Sequence, residues 1–90
     1  LKLKLNDKIE IHWLDTVSDS RWLDFEGATR RFKRTDCYTI GYFSKQDKDF
    51  VWVGHSIGKY EEATRDCTMI PQGCIKKIWK LEYKNARRKI

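Results

Sequence analysis

A chain of 90 residues has room for one small core and no second domain, and with 40% hydrophobic residues, including four Trp, four Tyr and four Phe, it carries too much apolar bulk to be disordered. No apolar run approaches the ~18 residues of a membrane-spanning helix, and the three cysteines, Cys37, Cys67 and Cys74, lack the Cys-x-x-Cys spacing and even number of a disulfide scaffold, so free thiols in a reducing cytosol are expected. The net charge of +6 is concentrated in two basic islands, Arg30-Arg31-Phe32-Lys33-Arg34 and residues 75–90, while the rest of the chain is mildly acidic.

Leu1 to Leu5 alternates with Lys2 and Lys4, the pattern of an edge strand or ordered arm rather than of a signal peptide. Asn6-Asp7 signals a turn. Lys8 to Leu14 alternates again, with Ile9, Ile11 and Trp13 on one face of a half-buried strand. Asp15 to Asp24 is rich in Ser, Thr and Asp and reads as a loop like the long first loop of an SH3-like barrel, with Trp22-Leu23 inside it. Residues 24–32 allow a short helical turn with Asp24 as N-cap, weakened by Gly27.

Thr35 to Ser44 is a second strand, with Cys37, Thr39, Gly41 and Phe43 on one face and Tyr38, Ile40 and Tyr42 on the other; Gly41 marks a bend or bulge. Lys45 to Asp49 is a polar turn, Phe50 to Ile57 a third strand that pairs with the second as a hairpin, Gly58 to Arg65 a polar loop, and Asp66 to Ile70 a fourth strand. Pro71 and Gly73 then predict one turn of 3₁₀ helix, Gly73 being free to take a positive φ. The closing segment has two readings. As a strand it sets Ile75, Lys77, Trp79, Leu81 and Tyr83 on one face, and as a helix it sets Ile75, Trp79, Tyr83 and Ala86 in a stripe. The Pro-x-Gly turn and the need to complete a small sheet favour a strand to about Glu82. The expected fold is therefore all-β: a small SH3-like or Sm-like barrel of about five strands over residues 1–82, with a basic tail over residues 83–90.

Trp13-Leu14-Asp15, Trp22, Thr39-Ile40-Gly41-Tyr42 and Ile70-Pro71-x-Gly73-x-Ile75-x-x-Ile78-x-x-Leu81, in that order, resemble the pattern of short β-barrel proteins encoded in bacteriophage and prophage genomes, over about residues 9–81. The resemblance implies an accessory role in phage biology and a setting in the bacterial host cytoplasm. It rests on core and turn residues and carries over no catalytic or binding residue.

Basic charge beside aromatics is the strongest functional signal. Arg30, Arg31, Lys33, Arg34, Lys77, Arg87 and Arg88 suit phosphate contacts, and Trp22 and Phe32 suit stacking on bases, the combination by which small barrels hold nucleic acid. The bland reading is that these cations solvate a small barrel whose core takes the aromatics. A metal site is not expected: His12, His55 and the three cysteines offer no closely spaced ligand pair. His12 with Asp15, or His55 with Cys67, can be drawn as catalytic pairs, but nothing in the spacing demands it, no catalytic motif is present, and a non-enzyme without cofactor is expected. The rival class is a protein-interaction module, binding a host or phage protein, or further copies, through an edge strand or the loop of Trp22, Leu23 and Phe25. There Asp19, Asp24 and Glu26 would suit a basic partner and repel nucleic acid.

Overall fold

A computed structural model describes residues 2–16, 21–22, 24–31, 34–58, 64–82 and 88–90, with the side chains of residues 31, 64 and 65 excepted. The chain is mostly β. Five strands, β1 (Lys8–Asp15), β2 (Thr35–Gln46), β3 (Phe50–Gly54), β6 (Thr68–Pro71) and β7 (Ile75–Lys80), form one antiparallel open sheet in the order β6-β3-β2-β1-β7. The short strands β4 (Ser56–Ile57) and β5 (Thr64–Arg65) pair with each other, and one helix, α1 (Phe25–Arg31), lies between β1 and β2 in the chain. Among the described residues no helix is long and apolar enough to cross a membrane.

The alternation in β1 does what it predicts. Ile9 and Ile11 are fully buried and Trp13 packs beside them, together with Phe43 of β2, Val51 and Val53 of β3 and Ile70 of β6. Each such side chain is worth roughly 1.5–3 kcal/mol on leaving water, so these few residues dominate the stability of the sheet. Trp13 also satisfies its indole, Nε1–H donating to Thr39 Oγ1 at 2.9 Å. None of the described side chains of α1 is buried. The helix is held locally: Asp24 Oδ1 accepts from the Gly27 N–H at 2.6 Å, the N-cap that the sequence predicts.

The edge strands β6 and β7 lie at opposite ends of the sheet yet are consecutive, joined only by the 3₁₀ turn Gln72–Cys74. Three residues span a short distance, so the sheet must bend to bring these ends together. The β2–β3 turn braces the junction. Asp47 Oδ1 accepts from the backbone N–H groups of Asp49 and Phe50, and Gln72 donates from its backbone to Asp49 O at 2.8 Å and from Nε2 to Asp47 O at 3.1 Å.

Several expectations need correction. Of the two readings of the N-terminal segment the edge strand fails, since residues 2–4 form no strand; Leu3 packs on the core as part of an arm, and Asn6 makes the expected turn with φ 67°, a conformation Asn tolerates. The third strand stops at Gly54; Ser56 and Ile57, expected at its end, form β4 instead and pair with β5, which falls at the end of the expected loop. Gly73 does not use a positive φ. Gly41 stays in regular pairing with Ile9, and the bulge of β2 falls at Ser44, between Phe43 and Lys45. A second bulge at Lys76 divides β7: Ile75 and Ile78 pack on the core, while Lys77 and Trp79 stand across from His12 and Glu10 on the other face. Ile75, Lys77 and Trp79 therefore do not share a face.

Gly41 is needed for close approach. A Cβ there would lie 2.5 Å from Val53 Cγ1 and 2.6 Å from Gly54 O, whereas one at Gly73 would meet nothing within 4 Å. Gly41→Ala is expected to lower stability by about 1–3 kcal/mol through overpacking. Gly73→Ala is expected to leave stability unchanged or raise it by up to about 1 kcal/mol. Urea unfolding midpoints of the two variants check both.

Candidate functional site

The bend buries one face of the sheet, and among the described residues no element forms a layer over the other. On that outer face, pairing sets three rows across β2, β1 and β7. Tyr38, His12 and Lys77 form one, Ile40, Glu10 and Trp79 the next, and Tyr42 stands beside Lys8 in the third. Tyr38 is 60% exposed and Ile40 58%, large values for an aromatic and an aliphatic side chain in mid-strand. Farther along, Lys45 Nζ lies 4.7 Å over the Trp52 ring, and in β7 Lys77 Nζ lies 5.2 Å over Trp79.

The centre of this face is a chain of polar contacts. The rings of His12 and Tyr38 are stacked, with centroids 4.6 Å apart and planes at 12°. His12 Nε2 lies 2.6 Å from Asp36 Oδ1. Arg34 donates to the same carboxylate from Nε at 3.0 Å to Oδ2 and from Nη2 at 2.9 Å to Oδ1, a two-pronged contact. The hydrogen bond from Arg34, and then that from His12, hold the Asp36 carboxyl down at about 2, against an ordinary value of 3.8. An ionised carboxylate only accepts, so His12 Nε2 carries the proton that it shares with Asp36. The same contact raises the Arg34 guanidinium further above its usual range. The imidazole is thereby fixed in orientation beneath Tyr38.

The predicted site residues separate into three groups. Arg34 and Lys77, one from each basic island, both reach the His12–Tyr38 stack: Arg34 through Asp36, and Lys77 as the cross-strand neighbour of His12. Arg30 is exposed on α1, 3.8 Å from Glu26, while Arg88 and Trp22 are exposed and outside the sheet. Phe32, Lys33 and Arg87, and the side chain of Arg31, lie outside the described residues. His12, Asp36, Tyr38 and Ile40 were not among the predicted site residues. Their signal was the alternation of β2, which places Tyr38, Ile40 and Tyr42 opposite the core face. Over the outer face Lys8, Lys45, Lys77 and Arg34 outnumber Glu10 and Asp36, so it is cationic and aromatic together.

The three cysteines are free thiols. No protein-family model, no curated protein and no solved structure matches this chain.

The depressed Asp36 carboxyl gives a pH signature. Its contribution to stability is complete above 3.8 and is lost as pH falls towards 2, because the unfolded chain takes up the proton first. In Arg34→Ala the Asp36 titration, followed by carboxyl ¹³C NMR, is expected to move up from about 2 towards 3.8, and stability should fall less steeply across that interval.

Proposed function

We propose that this chain is a non-catalytic binding module that takes single-stranded nucleic acid on the outer face of its sheet. The observation that carries the reading is the row Tyr38–His12–Lys77, in which the exposed Tyr38 ring is stacked on the half-buried His12 imidazole beside one lysine, with Arg34 anchored next to it. A flat exposed ring on an uncovered sheet is how aromatic-bearing sheets take unpaired bases, while cations at its margin track the phosphates. Tyr38 is the stacking residue in this reading, His12 its support, and Lys77 the phosphate contact. Arg34 acts as a positioning residue because its guanidinium is committed to Asp36. Trp22 and the cations of α1 become peripheral.

The order β7-β1-β2-β3-β6, with a single 3₁₀ turn between the edge strands, supports reading the bent sheet as a variant of the SH3-like small barrel. An accessory role in a bacteriophage or prophage setting, in a host cytoplasm, accords with a small binding module of this kind. It rests on the resemblance carried by Trp13, Ile70, Pro71, Gly73, Ile75 and Ile78, and the described core and junction contain these residues.

Labelled single-stranded DNA, duplex DNA and RNA, titrated with the chain at two salt concentrations, test the proposal. Single strands should bind more tightly than duplex, with affinity falling as salt rises. Tyr38→Ala should weaken single-strand binding by the equivalent of about 1–3 kcal/mol. Lys77→Ala should flatten the salt dependence by about one unit of slope. Arg30→Ala should change little. Absence of binding at low salt, or binding that survives Tyr38→Ala and Lys77→Ala, contradicts the reading.

A further inference from the structure

The outer face carries one unsatisfied charge of the wrong sign for a phosphate-binding surface. The five-stranded sheet holds three carboxylates, Glu10, Asp15 and Asp36. Asp15 accepts from the Thr16 N–H at 2.8 Å, and Asp36 is taken up by Arg34 and His12. Outside the sheet, Asp7, Glu26 and Glu82 each lie 3.5–3.8 Å from a lysine or arginine. Glu10 differs. It is half-buried in the middle of the face, and among the described residues no donor or cation pairs with it.

Strand pairing fixes its surroundings. Glu10 stands between Ile40 of β2 and Trp79 of β7, so apolar side chains flank the carboxylate on both sides. His12 is paired with Tyr38, and Glu10 with Ile40. Glu10 is therefore the diagonal neighbour of Tyr38, at about 7–8 Å, a separation that long and aromatic side chains bridge. A base stacked on Tyr38 brings one edge within reach of Glu10.

A carboxylate accepts hydrogen bonds and donates none. It repels phosphates and the acceptor atoms of bases, and it gains most from two donors side by side. On the Watson–Crick edge guanine alone offers that pair, N1–H beside the N2 amino group. Adenine and cytosine set one amino group beside a ring acceptor, and thymine and uracil set one N–H between two carbonyls. Unpaired bases are read on this edge, and a two-pronged contact separates the right base from the wrong one.

We propose that Glu10 makes the outer face selective for guanine, its two carboxylate oxygens accepting from N1–H and N2–H of a guanine stacked on Tyr38. The inference rests on the single-strand reading above and adds to it the base that is preferred. An acidic group on a cationic face then has a use, since it weakens contact with phosphate and rewards one base edge.

Labelled oligothymidine of about eight nucleotides, within the usual span of a small binding module, tests this beside the same strand with one central guanine, adenine or cytosine. Each is titrated with the full chain at low salt. The guanine strand should bind about tenfold tighter than the other three. Inosine lacks the N2 amino group and should lose most of that advantage, whereas 7-deazaguanine keeps both donors and should retain it. Glu10→Gln should bring the four strands to within about twofold of one another, and it should not weaken the all-thymine strand, because it removes a negative charge. Equal affinity of the wild type for all four strands, a guanine advantage that persists with inosine, or one that persists in Glu10→Gln overturns the proposal while leaving single-strand binding intact. Absence of binding to every strand overturns the single-strand reading and this proposal with it.

Discussion

A single sheet has to bury its apolar face against itself. The fully buried side chains come from β1 (Ile9, Ile11), β3 (Val51, Val53) and β6 (Ile70), and no described side chain of α1 joins them. A flat sheet would leave these residues in water, at a loss of roughly 1.5–3 kcal/mol each. Bending lets β6 and β3 pack over β1, and the turn Gln72–Cys74 between the edge strands fixes the bend. The two bulges fit the same requirement: Ser44 and Lys76 each insert one residue where a strand must swing, and bulged strands bend and twist more strongly than regular ones. Among the described residues nothing covers the opposite face. Its aromatic content is therefore available to a partner, and the functional reading follows from the packing.

The polar chain on that face serves orientation more than stability. Exposed ion pairs contribute about 0–1 kcal/mol, less than any one of the buried isoleucines. Yet Arg34, Asp36 and His12 are linked by hydrogen bonds of 2.6–3.0 Å, and the last ring in the line is stacked under Tyr38. A tyrosine on an open sheet is free to change rotamer; one lying on a clamped imidazole has a preferred plane. Such preorganisation reduces the ordering that a stacked ligand would otherwise have to impose.

Much of the fold was legible from local pattern. The alternation of Ile9, Ile11 and Trp13, the faces of β2, the Asp24 cap and the Pro71 turn are all set by neighbours in sequence. The bulges were not, because nothing in Lys76-Lys77 says which lysine is the extra one, and a one-residue slip exchanges the faces of everything on one side of it. The role of Gly41 was equally hidden, since the atoms that forbid a side chain belong to Val53 and Gly54 of another strand. The candidate site was legible only in part. Charge clusters identified the basic islands, but not that Arg34 is engaged by Asp36, nor that strand pairing carries Lys77 next to His12. Tyr38 was assigned to the outer side of its strand. Its meaning depends on register with β1 and β7, which is long-range information.

The central claim is that binding resides on the outer face of the sheet, around Tyr38. Side-chain and amide NMR shifts of the labelled chain, followed while a short single-stranded oligonucleotide is added, test it most directly. The account predicts that the largest shifts fall on Tyr38, His12, Lys77 and the Trp79 indole, with the methyl groups of Ile11, Val53 and Ile70 unmoved. Shifts confined to Arg30, Arg88 and their neighbours, or no shifts at all, would contradict it.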